Sequence, residues 1–214
     1  MLVFHDKRWY SIIRKRNSGI EPLWGREMYI FHGTTLDAAI DIVTHGINLK
    51  KSNERLDFGP GFYTTDNRAF AERTARYRTK KVRGMVNRQS VRPAVVTLEC
   101  CELNDEELLR EIRLKKFVFS GISWLEFVIV NRCSNEFVIS NQYVNHNKDF
   151  KYDIVLGPTA DGGIAAIAAD FEKKRITIEA DLLRNILPSY GTQISFHTVR
   201  SLACIKPIKY DIID

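Results

Sequence analysis

Asp57-Phe58-Gly59-Pro60-Gly61-Phe62-Tyr63-Thr64-Thr65 reads as a tight loop running into a strand. Two glycines flank one proline, which is turn chemistry. The four residues that follow are β-prone, and in a strand Phe62 and Tyr63 project to opposite faces. One aromatic can then enter the core while the other faces a cleft. A ring at a cleft can stack on a flat heterocycle, worth about 0.5–1.5 kcal/mol beyond its burial. Taken alone, the stretch also fits a hairpin turn with two core aromatics.

Working upstream, Glu27 to Phe31 is a short apolar run that predicts a strand stopping at His32-Gly33-Thr34-Thr35. A histidine at a strand end followed by glycine lets a ligand approach the backbone closely. The threonine hydroxyls and the next helix N-terminus add donors for an anion or a ribose. Alone, this too fits a structural histidine beside a turn. Apolar residues at 36, 39, 40 and 43 predict a helix over 36–43 with Gly46 beyond its end. Working downstream, Asp66 or Asn67 caps a second helix, about Arg68 to Tyr77. Strands are expected at 95–98, 152–156 and 193–196, and helices from 105, within 117–132 and over 164–171. Residues 198–205 are ambiguous. Residues 157–163 lack the Gly-Lys-Ser/Thr of a phosphate loop and read as a strand-to-helix turn.

The chain has 214 residues, 44% hydrophobic and 27% charged. Those values suit a globular chain and exclude disorder, collagen or coiled coil as the main state. We expect a basic extension over 1–27 and one α+β domain over 28–214. No apolar stretch approaches the ~20 residues of a membrane-spanning helix. The charged start, with Lys7, Arg8, Arg14, Lys15 and Arg16, lacks the apolar core of a secretory signal. Four cysteines without a CxxC suit reduced thiols, so a cytoplasmic location is expected.

His-Gly-Thr at a strand, a helix, a loop and then Gly-Phe-Tyr-Thr-Thr before another helix together resemble the ADP-ribosyltransferase superfamily, in its His-Tyr-Glu (diphtheria-toxin-like) branch. The wording Asp57-Phe58-Gly59-x-Gly61-Phe62-Tyr63-x-Thr65 is similar to a bacterial family of unknown function related to that branch, whose domains are often toxin components. Trp124-Leu125-x-Phe127-Val128-x-x-Asn131-Arg132, Tyr152-Asp153-Ile154-Val155-x-Gly157-Pro158-x-Ala160-Asp161 and Gln193-Ile194-Ser195-Phe196-His197-Thr198 resemble it as well.

The resemblance implies two packed, mainly antiparallel sheets with flanking helices and an NAD cleft between them. It implies catalytic roles for His32, Tyr63 and Gln193. His32 would hold the adenosine ribose of NAD, Gly33 the nicotinamide amide through its backbone, and Tyr63 would stack on nicotinamide. Thr34, Gly61, Phe62, Thr64 and Thr65 would complete the NAD site. The family's third motif carries Glu, whereas the matching strand here offers Gln193, which can bond a hydroxyl but carries no charge. Three readings stay open. Gln193 works in place of Glu, Glu126 or Glu136 serves instead, or the domain binds without turnover.

Arg68 to Arg92 holds nine basic residues against the single acid Glu72. Within it, Arg73, Arg76, Arg78, Lys80, Lys81 and Arg83 form a candidate nucleic-acid surface, with Tyr77 interleaved. A solvated helix face or an acidic antitoxin protein fits the same charges. The net charge of +6 agrees with a polyanionic partner. The expected function is therefore NAD-dependent mono-ADP-ribosyl transfer to a nucleic acid or a protein, in a toxin–antitoxin or phage-defence setting. The alternatives are a degenerate binding module and an NAD glycohydrolase. NAD is the substrate, and such chemistry requires no metal. The five histidines also lack zinc-ligand spacing.

Overall fold

The computed structural model describes residues 28–86, 90–100, 110–160, 163–179, 182–183 and 191–214. The expected basic extension and the start of the helix expected from 105 lie outside the described residues.

In chain order the elements are β1 (Met28–Thr35), α1 (Leu36–His45), a 3-10 turn (Leu49–Lys51), β2 (Phe62–Thr65), α2 (Arg68–Val86), β3 (Pro93–Cys100) and β4 (Leu114–Lys116). Then follow α3 (Ile122–Arg132), α4 (Asn135–Ser140), β5 (Ile154–Pro158), α5 (Ile164–Glu172), β6 (Thr192–Phe196), α6 (Val199–Leu202) and β7 (Ile205–Ile212). The class is α+β, as expected. The two separate sheets are not: the strands form one seven-stranded sheet in the order β4-β5-β6-β2-β1-β3-β7. Every pairing is antiparallel except β4 with β5. The reason for one sheet is local. β1 and β2 meet through the pair Phe31↔Thr65, which carries the ladder across the middle. Beyond that pair the two strands part.

Alternation along the strands sends neighbouring residues into opposite layers. Ile30, Val96, Ile154, Ile194 and Phe196 pack with Ala39 of α1 on one face. Val155 turns to the other face, into a cluster with Phe58, Trp124, Phe127 and Val128, mostly from α3. Val95 lies with Ala71 and Ala75 of α2. The small side chains at 71 and 75, one helical turn apart, let α2 come down onto β1. A Cβ at Gly33 would sit 1.9 Å from the Ala71 carbonyl oxygen and 2.9 Å from the Ala75 nitrogen. Gly33 is therefore required by a backbone-to-backbone approach.

Several boundaries differ from the sequence expectations, each for a visible reason. β1 runs through His32 to Thr35 because β3 pairs with it over that whole length. α2 continues past Tyr77 to Val86. The helix expected within 117–132 starts only at Ile122, since the Phe117 amide still donates to Leu156 and extends the β4–β5 pairing. β7 follows the ambiguous segment. Its Pro207, Lys206 and Lys209 suit an edge strand, where a missing amide costs little and charge discourages further pairing.

Gly33→Ala is expected to push α2 off β1 and cost about 1–3 kcal/mol, the usual range for overpacking. Urea denaturation checks this. Unchanged stability would mean that the approach is looser than described.

Candidate functional site

Where β1 and β2 part, a cavity of about 180 Å³ opens between the strands and α2. His32, Gly33, Tyr63, Thr64, Thr65 and Gln193 line it, together with Asp57, Phe70, Thr74, Arg78 and Arg132. The three residues singled out as catalytic come from β1, β2 and β6, adjacent across the sheet.

His32 is 7% exposed. Its Nδ1 lies 2.6 Å from the Tyr63 carbonyl oxygen. A carbonyl only accepts, so Nδ1 carries the proton and Nε2 is left as an acceptor. Arg78 donates to that Nε2 at 3.3 Å. The imidazole also stacks on Phe62, with centroids 4.4 Å apart. Burial, then the Arg78 charge, pull the His32 pKa down to about 3, so the ring is neutral at pH 7.

Tyr63 does two jobs. The residue lines the cavity, while its hydroxyl donates to the Gly59 carbonyl at 2.5 Å and accepts from the Phe58 amide at 2.9 Å. Burial raises its pKa well above the ordinary tyrosine value, with the Asp57 charge adding to the effect. The hydroxyl is thus a fixed, protonated strut for the 57–61 loop.

Arg132 and His197 also hold that loop, and Asn131 packs against it. Arg132 Nε donates to Asp57, an ion pair with side chains 22% and 7% exposed. Asn131 Oδ1, which accepts from the Asn147 amide, stands 3.0 Å from where a Gly59 Cβ would be. Gly59 itself has φ +88°, a conformation that favours glycine. Finally, His197 Nδ1 donates to the Pro60 carbonyl at 2.7 Å, and its Nε2 accepts from Ser195 Oγ at 2.8 Å. Burial holds the His197 pKa near 4.

Gln193 is oriented by the same carboxylate. Its Nε2 donates to Asp57 Oδ2 at 3.3 Å, so the amide oxygen is the end left for a ligand hydroxyl. Glu126 accepts from Asn145 at 2.7 Å on α3, and Glu136 is exposed at the start of α4; neither lines the cavity. Asp57 is the carboxylate that does.

The remaining expected NAD-site residues lie near the cavity without lining it. Thr34 is buried in β1. Gly61 packs beneath His197, where a Cβ would approach Nδ1 to 2.7 Å. Phe62 supports His32 from behind. The cations of α2 divide between two faces. Arg73, Arg76, Lys80 and Lys81 are exposed, with Arg76 donating to the Asp214 carbonyl at 2.9 Å. Arg83 donates to the Val91 carbonyl at 2.8 Å. Arg78 alone of the six lines the cavity. Helical spacing explains it: Ala71, Thr74 and Arg78 share one face. Asp57 and Arg132 both stand in the sequence motifs, but nothing local shows that residues 75 apart pair.

Among the described residues, no group of His, Cys, Asp and Glu is placed to hold a metal, and no helix is long and apolar enough to cross a membrane. A family model described as a protein of unknown function, DUF3990, matches residues 28–207. The chain belongs to that family. No curated protein and no solved structure matches it.

Two outcomes are expected from this geometry. Tyr63→Phe keeps the ring but strands the Gly59 carbonyl and the Phe58 amide, costing about 1–3 kcal/mol in denaturant unfolding. A loss below about 0.5 kcal/mol would remove the strut from the account. The second concerns pH. His32 and His197 titrate near 3 and 4 in the folded protein but near 6.5 unfolded. Between those values the unfolded chain binds more protons, so stability falls as pH drops below about 6.5. His197→Gln should flatten that slope in melting curves taken from pH 7 to 4. An unchanged slope would show that His197 contributes nothing to it.

Proposed function

We propose that the chain is an NAD-dependent mono-ADP-ribosyltransferase that modifies a nucleic acid, as the toxin of a bacterial toxin–antitoxin or phage-defence system. One observation supports the reading above all others. His32, Tyr63 and Gln193, named from separate motifs, line a single cavity with a neutral imidazole, a fixed aromatic ring and a cation. The biological setting rests on the sequence resemblance.

In the proposed reaction the bond between the nicotinamide nitrogen and ribose C1′ breaks. Its electron pair leaves with the nitrogen and neutralises the pyridinium. An acceptor oxygen or nitrogen bonds to C1′ and releases its proton. Positive charge builds on the ribose meanwhile, so positioning and electrostatics carry the catalysis. Gln193 presents its amide oxygen to a ribose hydroxyl. Asp57, behind it, supplies the negative charge that glutamine lacks. The exposed cations Arg73, Arg76, Lys80 and Lys81, on the same helix as Arg78, suit a phosphate backbone as acceptor.

A second reading is favoured by one feature. The Asp57 carboxylate is already paired with Arg132, which blunts the charge available to the ribose. On that reading the domain binds NAD without transfer.

Incubating the protein with labelled NAD and, separately, total RNA, single-stranded DNA and lysate protein decides between them. Label is expected in a nucleic-acid fraction, and it should disappear with His32→Ala. Gln193→Ala should lower kcat far more than it weakens NAD binding. Label in the protein fraction would move the acceptor class. Nicotinamide release without label transfer would make the chain a glycohydrolase, and neither product would favour the binding module.

A further inference from the structure

Arg78 reaches the cavity from the third turn of α2, and its surroundings are unusual for a cation. Its guanidinium donates to a neutral imidazole nitrogen, a weak partner at 3.3 Å. Among the described residues no carboxylate forms an ion pair with it. Asp57, the acid of the cavity, is taken by Arg132. Burial lowers the Arg78 pKa, with no neighbouring acid to oppose the effect. A desolvated cation without a counter-charge is costly, and the fold keeps it at the cavity wall.

The contact has a second consequence. Arg78 occupies His32 Nε2, the acceptor position on this ring that a ligand hydroxyl would need. A ligand that offers only a hydroxyl must displace Arg78 and leave it without a partner. A ligand with a hydroxyl for Nε2 and an anion for Arg78 satisfies both groups at once. A ribose with a phosphate on it has that pair of features, and a guanidinium matches phosphate geometry with two parallel donors.

We propose that Arg78 is the phosphate-binding residue of the cavity, and that it leaves His32 Nε2 for the ligand phosphate when a nucleotide binds. This deepens the NAD reading and rests on it for the identity of the nucleotide. It also separates Arg78 from the exposed cations of α2, which remain for the acceptor.

Isothermal titration with NAD, ADP and adenosine tests the proposal on the intact chain, with Arg78→Gln and Arg78→Lys beside the wild type. ADP and adenosine share the ribose hydroxyls and differ in the phosphates. Arg78→Gln is expected to weaken NAD and ADP about tenfold to a hundredfold, the worth of a charge-assisted hydrogen bond, and to leave adenosine no weaker, since no guanidinium then has to be displaced from His32 Nε2. Arg78→Lys should fall between, keeping the charge but losing the fork. Melting curves show that each variant is folded; if Arg78→Gln is not, Arg78→Lys carries the comparison. Equal binding of NAD and ADP by wild type and variants overturns the proposal and leaves the NAD reading standing. Equal loss of adenosine and ADP also overturns it. Arg78-dependent binding of ADP without binding of NAD upholds the phosphate site and removes NAD. Binding of none of the three removes both.

Discussion

The hydrogen bond from His32 to the Tyr63 carbonyl is the contact on which the rest of the site depends. The sheet's ladder crosses from β1 to β2 through one residue pair. Past that pair, a side chain replaces the backbone as the link between the strands. The replacement leaves a cavity between the strands and bridges their ends. It also fixes the chemistry of the ring. With Nδ1 committed as donor and burial keeping the imidazole neutral, Nε2 is an acceptor at neutral pH.

Two walls of the cavity are held by defined contacts. α2 can form one wall because Gly33, Ala71 and Ala75 bring backbone against backbone. The 57–61 loop forms another: the neighbouring Tyr63 and the distant Arg132 and His197 bond to it, and Asn131 packs against Gly59. Such restraint is what a site built on a loop needs, since loops ordinarily move more than the elements they join. Asp57 links loop to strand, because the carboxylate that Arg132 holds in turn holds Gln193.

Local pattern made some of this legible. The Gly-Pro-Gly loop before an aromatic strand, the helix at 36–43 and the strand at 193–196 sit where periodicity and turn chemistry put them. The motif residues His32, Tyr63 and Gln193 do converge, although they span 161 positions. What stayed hidden depends on distant partners. β1 extends because β3 covers it, and β4 exists because β5 lies beside it. Neither the extension over 32–35 nor the strand at 114–116 has a strong signal of its own. The single sheet turns on one pairing, which no composition encodes. Charge alone groups Arg78 with its exposed neighbours, whereas its helical spacing from Ala71 and Thr74 sets it on the inward face.

A crystal structure of the protein with bound ADP-ribose tests the central claim most directly, that the opening between β1 and β2 is a nucleotide site. Ligand density is expected in that opening, with a ribose hydroxyl on His32 Nε2 and Arg78 turned away from the imidazole onto a phosphate. Well-ordered ligand elsewhere on the chain, with the His32–Arg78 contact intact, would contradict it.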